Sequence, residues 1–173
     1  MFGRYTRWWK NVTQATDVDP GPVETMFAAD LASRNLGIEL THHGQGTAEV
    51  RMTVTPAMVN GHGIAHGGYI FLLADTAFAC ACNSHGPVTV AAAADIDFIA
   101  PAREGDVLVA TARERTRYGR SGIYDVSVRR ITDVPREARS VEGGGGRRAG
   151  EEVIAEFRGR SRSLRSEKTK ESQ

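Results

Sequence analysis

Residues 66–82 read HGGYIFLLADTAFACAC, and this apolar stretch is the strongest structural signal in the chain. From Tyr69 to Cys82 the residues are apolar on nearly every side, and Asn83, Gly86 and Pro87 follow as helix stop signals. A helix that is apolar around its whole circumference has to be buried on all sides. In a chain of 173 residues, this predicts a β-sheet wrapped around one central helix.

The segments on both sides of this helix are strand-like. Val50, Met52 and Val54 alternate with polar residues, which predicts a strand with one buried face. Four more strands are predicted over residues 88–99, 107–116, 121–130 and 152–160. The turn at residues 104–106 separates the first two of these four, and Gly119 separates the next two. The spacing predicts hairpins at both places.

An upstream helix is predicted over residues 23–35, ending near Gly37. With one further strand ahead of Val50, the predicted order is helix, two strands, the long buried helix, and four strands. An antiparallel sheet curled around one central helix satisfies this order, so the predicted fold class is α+β. A curled sheet leaves a free edge or face, and we expect two such units to pair.

Length and composition indicate one globular domain with loose ends. The hydrophobic content of 40% and charged content of 25% are ordinary for a soluble protein. We expect a loosely ordered arm over residues 1–22, the domain over 23–165 with a flexible Gly-rich insertion at 133–151, and a disordered tail over 166–173. The first residues show no secretory signal and no apolar run is long enough to cross a bilayer. We therefore expect a cytoplasmic protein that does not bind a membrane.

The charge is unevenly distributed along the chain, although the formal net charge is only +1 and gives no general case for nucleic acid. Residues 103–173 carry 17 Lys and Arg against 12 Asp and Glu, whereas residues 1–102 carry 5 against 9. A basic C-terminal half suits an anionic ligand such as a phosphorylated cofactor. Ordinary solvated surface is the alternative interpretation.

Asp75 is a charged residue within the otherwise apolar central helix. A carboxylate in an apolar helix costs free energy unless it is paired or used in chemistry. The structural alternative is a hydrogen bond to Asp75 from Thr76 or from the backbone. The loop before the helix favours chemistry, because Gly67 and Gly68 stand at the helix start, where backbone N–H groups lack partners and can polarise a carbonyl oxygen.

The spacing of these groups has a geometric consequence. Asp75 lies eight residues after Gly67, which is about 12 Å along a helix axis. One helix cannot bring both residues to the same reacting carbonyl. Two antiparallel helices facing each other across a dimer interface can.

Two further polar residues lie in the loop. Asn60 can hold a water or a substrate group, and His66 can orient the loop or a substrate carbonyl, with a structural role as its alternative. We expect His85 at the surface. The chain contains neither metal-ligand spacing nor a Gly-Lys-Ser/Thr phosphate loop, so no metal and no cofactor are predicted.

Residues 60–79, NGHGIAHGGYIFLLADTAFA, resemble the signature of the PaaI-type thioesterases of phenylacetate catabolism, in the hotdog superfamily. The resemblance covers roughly residues 23–165 and includes the segments at 36–38, 96–101, 105–106, 122–125 and 155–159. It implies a hotdog fold, homo-oligomers (dimers or dimers of dimers), and hydrolysis of an acyl-CoA such as phenylacetyl-CoA or hydroxyphenylacetyl-CoA.

The resemblance also implies roles for single residues. Asp75 matches the acid that acts as nucleophile or general base. Gly67 matches the residue whose N–H polarises the thioester carbonyl from the facing subunit, and Asn60 and His66 match positions that place water and substrate. Some relatives carry a Ser or Thr that helps the water on the strand after the helix, whereas residues 90–94 here read VAAAA and carry no hydroxyl.

An acyl-CoA substrate carries phosphates, for which the chain offers several basic residues. Arg117, Arg120 and Ser121 are the candidates for binding these phosphates. Arg115, Arg160 and Arg162 are alternatives. Two other functions remain open at this point: an acyl-CoA hydratase or dehydratase on the same fold, and a non-catalytic acyl-CoA-binding module.

Overall fold

The structure is a computed structural model that describes residues 20–131 and 150–165. The predicted N-terminal arm lies outside the described residues up to residue 19. Residues 133–149 of the predicted insertion at 133–151 lie outside the described residues. The whole predicted tail at 166–173 also lies outside them. No helix in the described ranges is long and apolar enough to cross a membrane.

Two short helices come first, α1 (Pro22–Ala29) and α2 (Leu31–Asn35). Strands β1 (Glu39–Gly44) and β2 (Thr47–Thr53) follow, then one 3-10 turn (Pro56–Met58) and the central helix α3 (Gly67–Asn83). The last four elements are the strands β3 (Thr89–Phe98), β4 (Val107–Tyr118), β5 (Ser121–Ile131) and β6 (Glu151–Ser163).

The six strands form a single antiparallel sheet in the order β1-β2-β4-β5-β6-β3. The sheet curls around α3, which packs against its middle strands. Phe78 of α3 packs so closely on β6 that a Cβ added at Gly159 would lie 2.7 Å from the phenylalanine ring. The predicted α+β architecture is therefore confirmed.

One predicted hairpin is wrong. β4 and β5 form the expected hairpin at Gly119, which has a φ of 56°. β3 does not pair with β4 but lies at the far edge of the sheet beside β6. The connection after β3 instead bonds to other segments: Ala65 N–H donates to Ala102 O, and Val54 N–H donates to Asp106 O. A turn signal shows that the chain reverses but not which strand becomes the partner.

The predicted helix over residues 23–35 is divided into two helices, because the chain breaks at Asp30. The Asp30 carboxylate caps α2 by accepting hydrogen bonds from the Ser33 N–H (3.1 Å) and the Ser33 hydroxyl (2.5 Å). Such local side-chain bonds compete with continued helix. Gly37, with a φ of 70°, follows the second helix as expected.

The central helix is not buried on all sides, contrary to the prediction. Its one partly exposed face, the α3 stripe, consists of Gly68, Phe71, Leu72, Asp75 and Ala79. These residues share a face because they recur every three or four positions. β3 is an edge strand, and its residues 90–95 are exposed on both faces. The described chain thus leaves this helix face and the β3 edge of the sheet uncovered, while β1 forms the other edge.

Candidate active site

His66 fixes the start of α3. Its Nδ1 accepts a hydrogen bond from the Gly68 N–H (3.0 Å), and its own backbone N–H donates to Met58 O (2.8 Å). Because Nδ1 is an acceptor, the neutral ring carries its proton on Nε2. The geometry gives His66 the role of orienting the loop, one of the two roles considered from the sequence.

This capping leaves one donor free. The N–H groups of His66 and Gly68 are occupied, while the Gly67 N–H has no partner among residues 20–131 and 150–165. It stands at the positive end of a 17-residue helix. A free N–H in this position can stabilise a negatively charged oxygen.

Gly67 and Asn60 line the same pocket, which we call the Gly67 pocket. Its volume is about 480 Å³, and most of its other lining residues are apolar. The Asn60 Oδ1 accepts a hydrogen bond from the His62 N–H (2.9 Å), which fixes the orientation of the amide. The Asn60 amide N–H₂ has no partner in the described chain, so it can donate to a bound molecule.

Asp75 lies on α3 two turns beyond Gly67 and is not part of the Gly67 pocket. No hydrogen bond or ion pair from a described residue reaches its carboxylate. The structural alternative fails for Thr76, since the Thr76 hydroxyl donates to Leu72 O (2.9 Å) and bonds the Ser33 hydroxyl (2.8 Å). Asp75 is therefore an unpaired, half-buried acid.

The surroundings of Asp75 make it a stronger base than an ordinary aspartate. Burial, and secondarily the negative charge of Asp30, raise the pKa of Asp75 above its usual range. The sequence did not point to Asp30, because nothing in the pattern shows that its carboxylate faces the central helix. The nearby cysteines are unsuited to nucleophilic attack, since burial raises the pKa of Cys80 and of Cys82 to about 12.

Removal of the Asp30 charge should move the acid side of the pH–rate profile. We expect Asp30→Asn to lower the pKa of Asp75, so that the rise of kcat/KM with pH begins at a lower pH than in the wild type. Asparagine still caps α2. Ser33→Ala is the control, because it weakens the same cap and leaves the charge in place. A profile that moves equally in both variants would assign the shift to local structure and not to charge.

Arg117 and Arg120 line a surface groove of about 920 Å³ together with Arg165, which the sequence did not single out. We call this the arginine groove. The three guanidinium groups have no side-chain partner among the described residues. The Ser121 hydroxyl lies next to the groove but accepts a hydrogen bond from Arg162 (3.2 Å).

Two of the alternative arginines are already paired elsewhere. On the outer face of the sheet, Arg115 contacts Asp125 at 3.2 Å and Arg160 contacts Asp95 at 2.7 Å. Free guanidinium groups bind phosphate at lower cost than groups that must first leave a carboxylate. The geometry therefore favours the arginine groove over these positions.

His85 is not a surface residue, contrary to the prediction. Its side chain is 10% exposed, and its Nε2 lies 2.6 Å from a Glu114 oxygen that also accepts from the Tyr124 hydroxyl (3.0 Å). Burial and the Glu114 hydrogen bond raise the pKa of Tyr124. This cluster fastens the C-terminal end of α3 to β4 and β5. Its partners are far apart in sequence, which is why the pattern did not show it.

Comparisons with known proteins identify the family of the chain. Residues 62–135 match the family described as the thioesterase superfamily. The acyl-coenzyme A thioesterase PaaI of Escherichia coli is 48% identical over 103 residues, which are 60% of this chain and 74% of that protein.

Solved structures give the same result. The E. coli PaaI protein from the phenylacetic acid degradation operon superposes with a TM-score of 0.69 at 38% identity, covering 83% of this chain and 91% of that one. A mutant of the phenylacetic acid degradation protein PaaI from Thermus thermophilus gives 0.65 at 30% identity, covering 78% and 100%. The curled sheet, the central helix with its Gly-Gly start and these relatives place the chain in the thioesterase superfamily, as a PaaI-type acyl-CoA thioesterase of the hotdog fold.

Proposed function

We propose that the protein hydrolyses an arylacetyl-CoA, such as phenylacetyl-CoA or hydroxyphenylacetyl-CoA, to the free acid and CoA. One observation carries the proposal: α3 presents an N–H donor at Gly67 and a carboxylate at Asp75, neither of which has a partner among residues 20–131 and 150–165. The names of the PaaI relatives support the CoA thioester and the phenylacetate pathway. Water is the second substrate, and no cofactor is required.

The chemistry begins with the thioester oxygen accepting the Gly67 N–H. As the carbonyl carbon becomes tetrahedral, its oxygen gains negative charge, and one such donor stabilises it by about 3 kcal/mol. Asp75 either removes a proton from the attacking water or attacks the carbonyl itself, giving an anhydride that water then opens. In both routes the C–S bond breaks, CoA leaves as its thiolate, and that thiolate takes up a proton.

We propose that each active site is shared by two chains. Gly67 and Asp75 of one helix lie too far apart for one carbonyl, by the estimate of about 12 Å. The α3 stripe and the exposed edge of β3 are uncovered in the single chain, and a second copy can pack on them. Small side chains at residues 91–94 allow that copy to approach closely. Antiparallel packing of the two α3 helices brings Gly67 of one chain towards Asp75 of the other.

We propose that the arginine groove binds the phosphates of CoA. The groove includes Pro87 and Val88, which follow the C-terminal end of α3. In the antiparallel pair, this end of one chain extends past the Gly67 pocket of the other. The exposed side chains of Val88 (64%) and Leu164 (53%) offer apolar surface for the adenine ring, and the three arginines offer positive charge.

Neutralising the groove should weaken the binding of CoA esters and leave the chemistry intact. For the double variant Arg117→Gln and Arg120→Gln, we expect KM to rise about 10-fold or more, since hydrogen bonds to charged groups contribute about 1.5–3 kcal/mol. The effect should shrink as salt increases. The kcat should stay near that of the wild type.

Two controls accompany this experiment. Arg115→Gln removes an arginine that pairs with Asp125 on the outer face of the sheet, and the KM of this variant should equal that of the wild type. Thioesters of pantetheine lack the nucleotide, so the double variant should hydrolyse them as fast as the wild type does. An equal loss on pantetheine thioesters would place the CoA phosphates elsewhere.

The overall function is tested by measuring thiol release from a panel of acyl-CoA esters. We expect one CoA per acid formed, with arylacetyl-CoA among the best substrates. Hydration of enoyl-CoA without thiol release would support the hydratase alternative, and tight binding without turnover would support the binding module. The names of the relatives favour neither one, because those relatives are described as thioesterases.

A further inference from the structure

The phenyl ring of Phe98 lies directly against Gly67. Phe98 is the last residue of β3, and a Cβ added at Gly67 would lie 2.9 Å from its Cζ and 3.2 Å from its Cε1. The contact explains why a side chain at residue 67 would be crowded. Phe98 is nevertheless 55% exposed, so the rest of its ring borders open space beside the free Gly67 N–H.

The walls of the Gly67 pocket are apolar. Ile64, Ile70 and Ile99 line it with Phe98, and Asn60 supplies its only side-chain amide. The two parts of the substrate that flank the thioester differ in chemistry. The pantetheine arm carries two amide groups that need hydrogen-bond partners when buried, whereas an aryl group needs apolar contact. The pocket matches the aryl group, and its volume of about 480 Å³ is in the range of small-molecule sites.

We propose that the Gly67 pocket receives the aryl group of the substrate and that Phe98 determines the preference for an aromatic acyl group. The inference rests on the proposed thioesterase function and deepens it. With the carbonyl oxygen on the Gly67 N–H, the acyl group extends along the Phe98 ring. Aromatic rings prefer offset or edge-to-face contact, which an aliphatic acyl chain cannot reproduce.

The test compares phenylacetyl-CoA with hexanoyl-CoA in the full-length protein. For Phe98→Leu, which keeps apolar volume and removes the ring, we expect the ratio of kcat/KM values for the two substrates to fall by about 10-fold, the upper end for one aromatic contact. Phe98→Ala should shift the ratio in the same direction. Both variants should fold, because the Phe98 side chain is more than half exposed; their melting temperatures check this.

Tyr118→Leu is the matched control, since Tyr118 is an equally exposed aromatic residue (56%) at the end of β4. Its substrate ratio should equal that of the wild type. An equal loss on both substrates in the Phe98 variants, or no loss on either, would overturn the assignment of Phe98 to acyl recognition. Failure of the wild-type protein to release thiol from any acyl-CoA would instead overturn the proposed function itself, so the two failures are distinct.

Discussion

Asp75→Asn should lower kcat for thiol release by at least about 100-fold in a protein that stays folded. Asparagine keeps the volume of the side chain and loses the negative charge, so it neither accepts a proton from water nor attacks the thioester. The raised pKa of Asp75 means that the folded chain binds this proton more tightly than the unfolded chain does. Ionisation of Asp75 therefore costs stability as pH rises from the ordinary aspartate range through the raised pKa.

The substitution removes that cost, so the melting temperature of Asp75→Asn at pH 7 should equal or exceed that of the wild type. Loss of activity combined with unchanged or greater stability is what we expect for a residue that acts in catalysis and does not stabilise the fold. Glu104→Gln is the control, because Glu104 is an exposed carboxylate in the turn before β4 and its removal should change neither quantity. Near-normal kcat in folded Asp75→Asn protein would remove Asp75 from the mechanism.

The second large effect is expected at Gly67. Gly67→Pro should lower kcat by about 100- to 1,000-fold, the loss typical for one missing oxyanion donor. Gly67 is the first residue of α3, where proline is well tolerated, and His66 already has an extended backbone (φ −65°, ψ 130°) that suits the residue before a proline. Gly67→Ala is the matched control: it adds a Cβ against the same movable Phe98 ring and keeps the N–H.

If two chains share each site, the two inactive variants should complement each other. A heterodimer of one Asp75→Asn chain and one Gly67→Pro chain contains one site with both defects and one site with neither. Heterodimers purified through two different tags should therefore recover up to half of the wild-type activity per dimer. Purified heterodimers without activity, or a fully active monomer, would contradict a shared site.

Much of the candidate site could be proposed from the sequence because its signals are local. The apolar run around Asp75 predicts a buried helix, and the two glycines at its start predict unpaired N–H groups, since both features depend on residues within one or two helical turns. The spacing from Gly67 to Asp75 also suggests two chains, because the rise of a helix is fixed. The central helix was predicted within two residues at its N-terminal end and one at its C-terminal end.

The errors concern partners that are distant in sequence. The pairing of β3 with β6, the bond of His85 to Glu114 and the influence of Asp30 on Asp75 each join residues that no local pattern links. The break at Asp30 is the exception, because Asp30 and Ser33 are close neighbours. There, a local capping bond overrode the apolar spacing that favoured one continuous helix.

Local signals in the sequence are enough to predict the fold class, the central helix and one acid in an apolar environment, because hydrogen-bonding patterns and hydrophobic periodicity act between near neighbours. Three features become visible in the three-dimensional structure: the Gly67 N–H has no partner among the described residues, one face of the helix is uncovered, and Phe98 lies against Gly67. These features arise from packing between segments up to dozens of residues apart, and such packing depends on the complete three-dimensional arrangement of the chain.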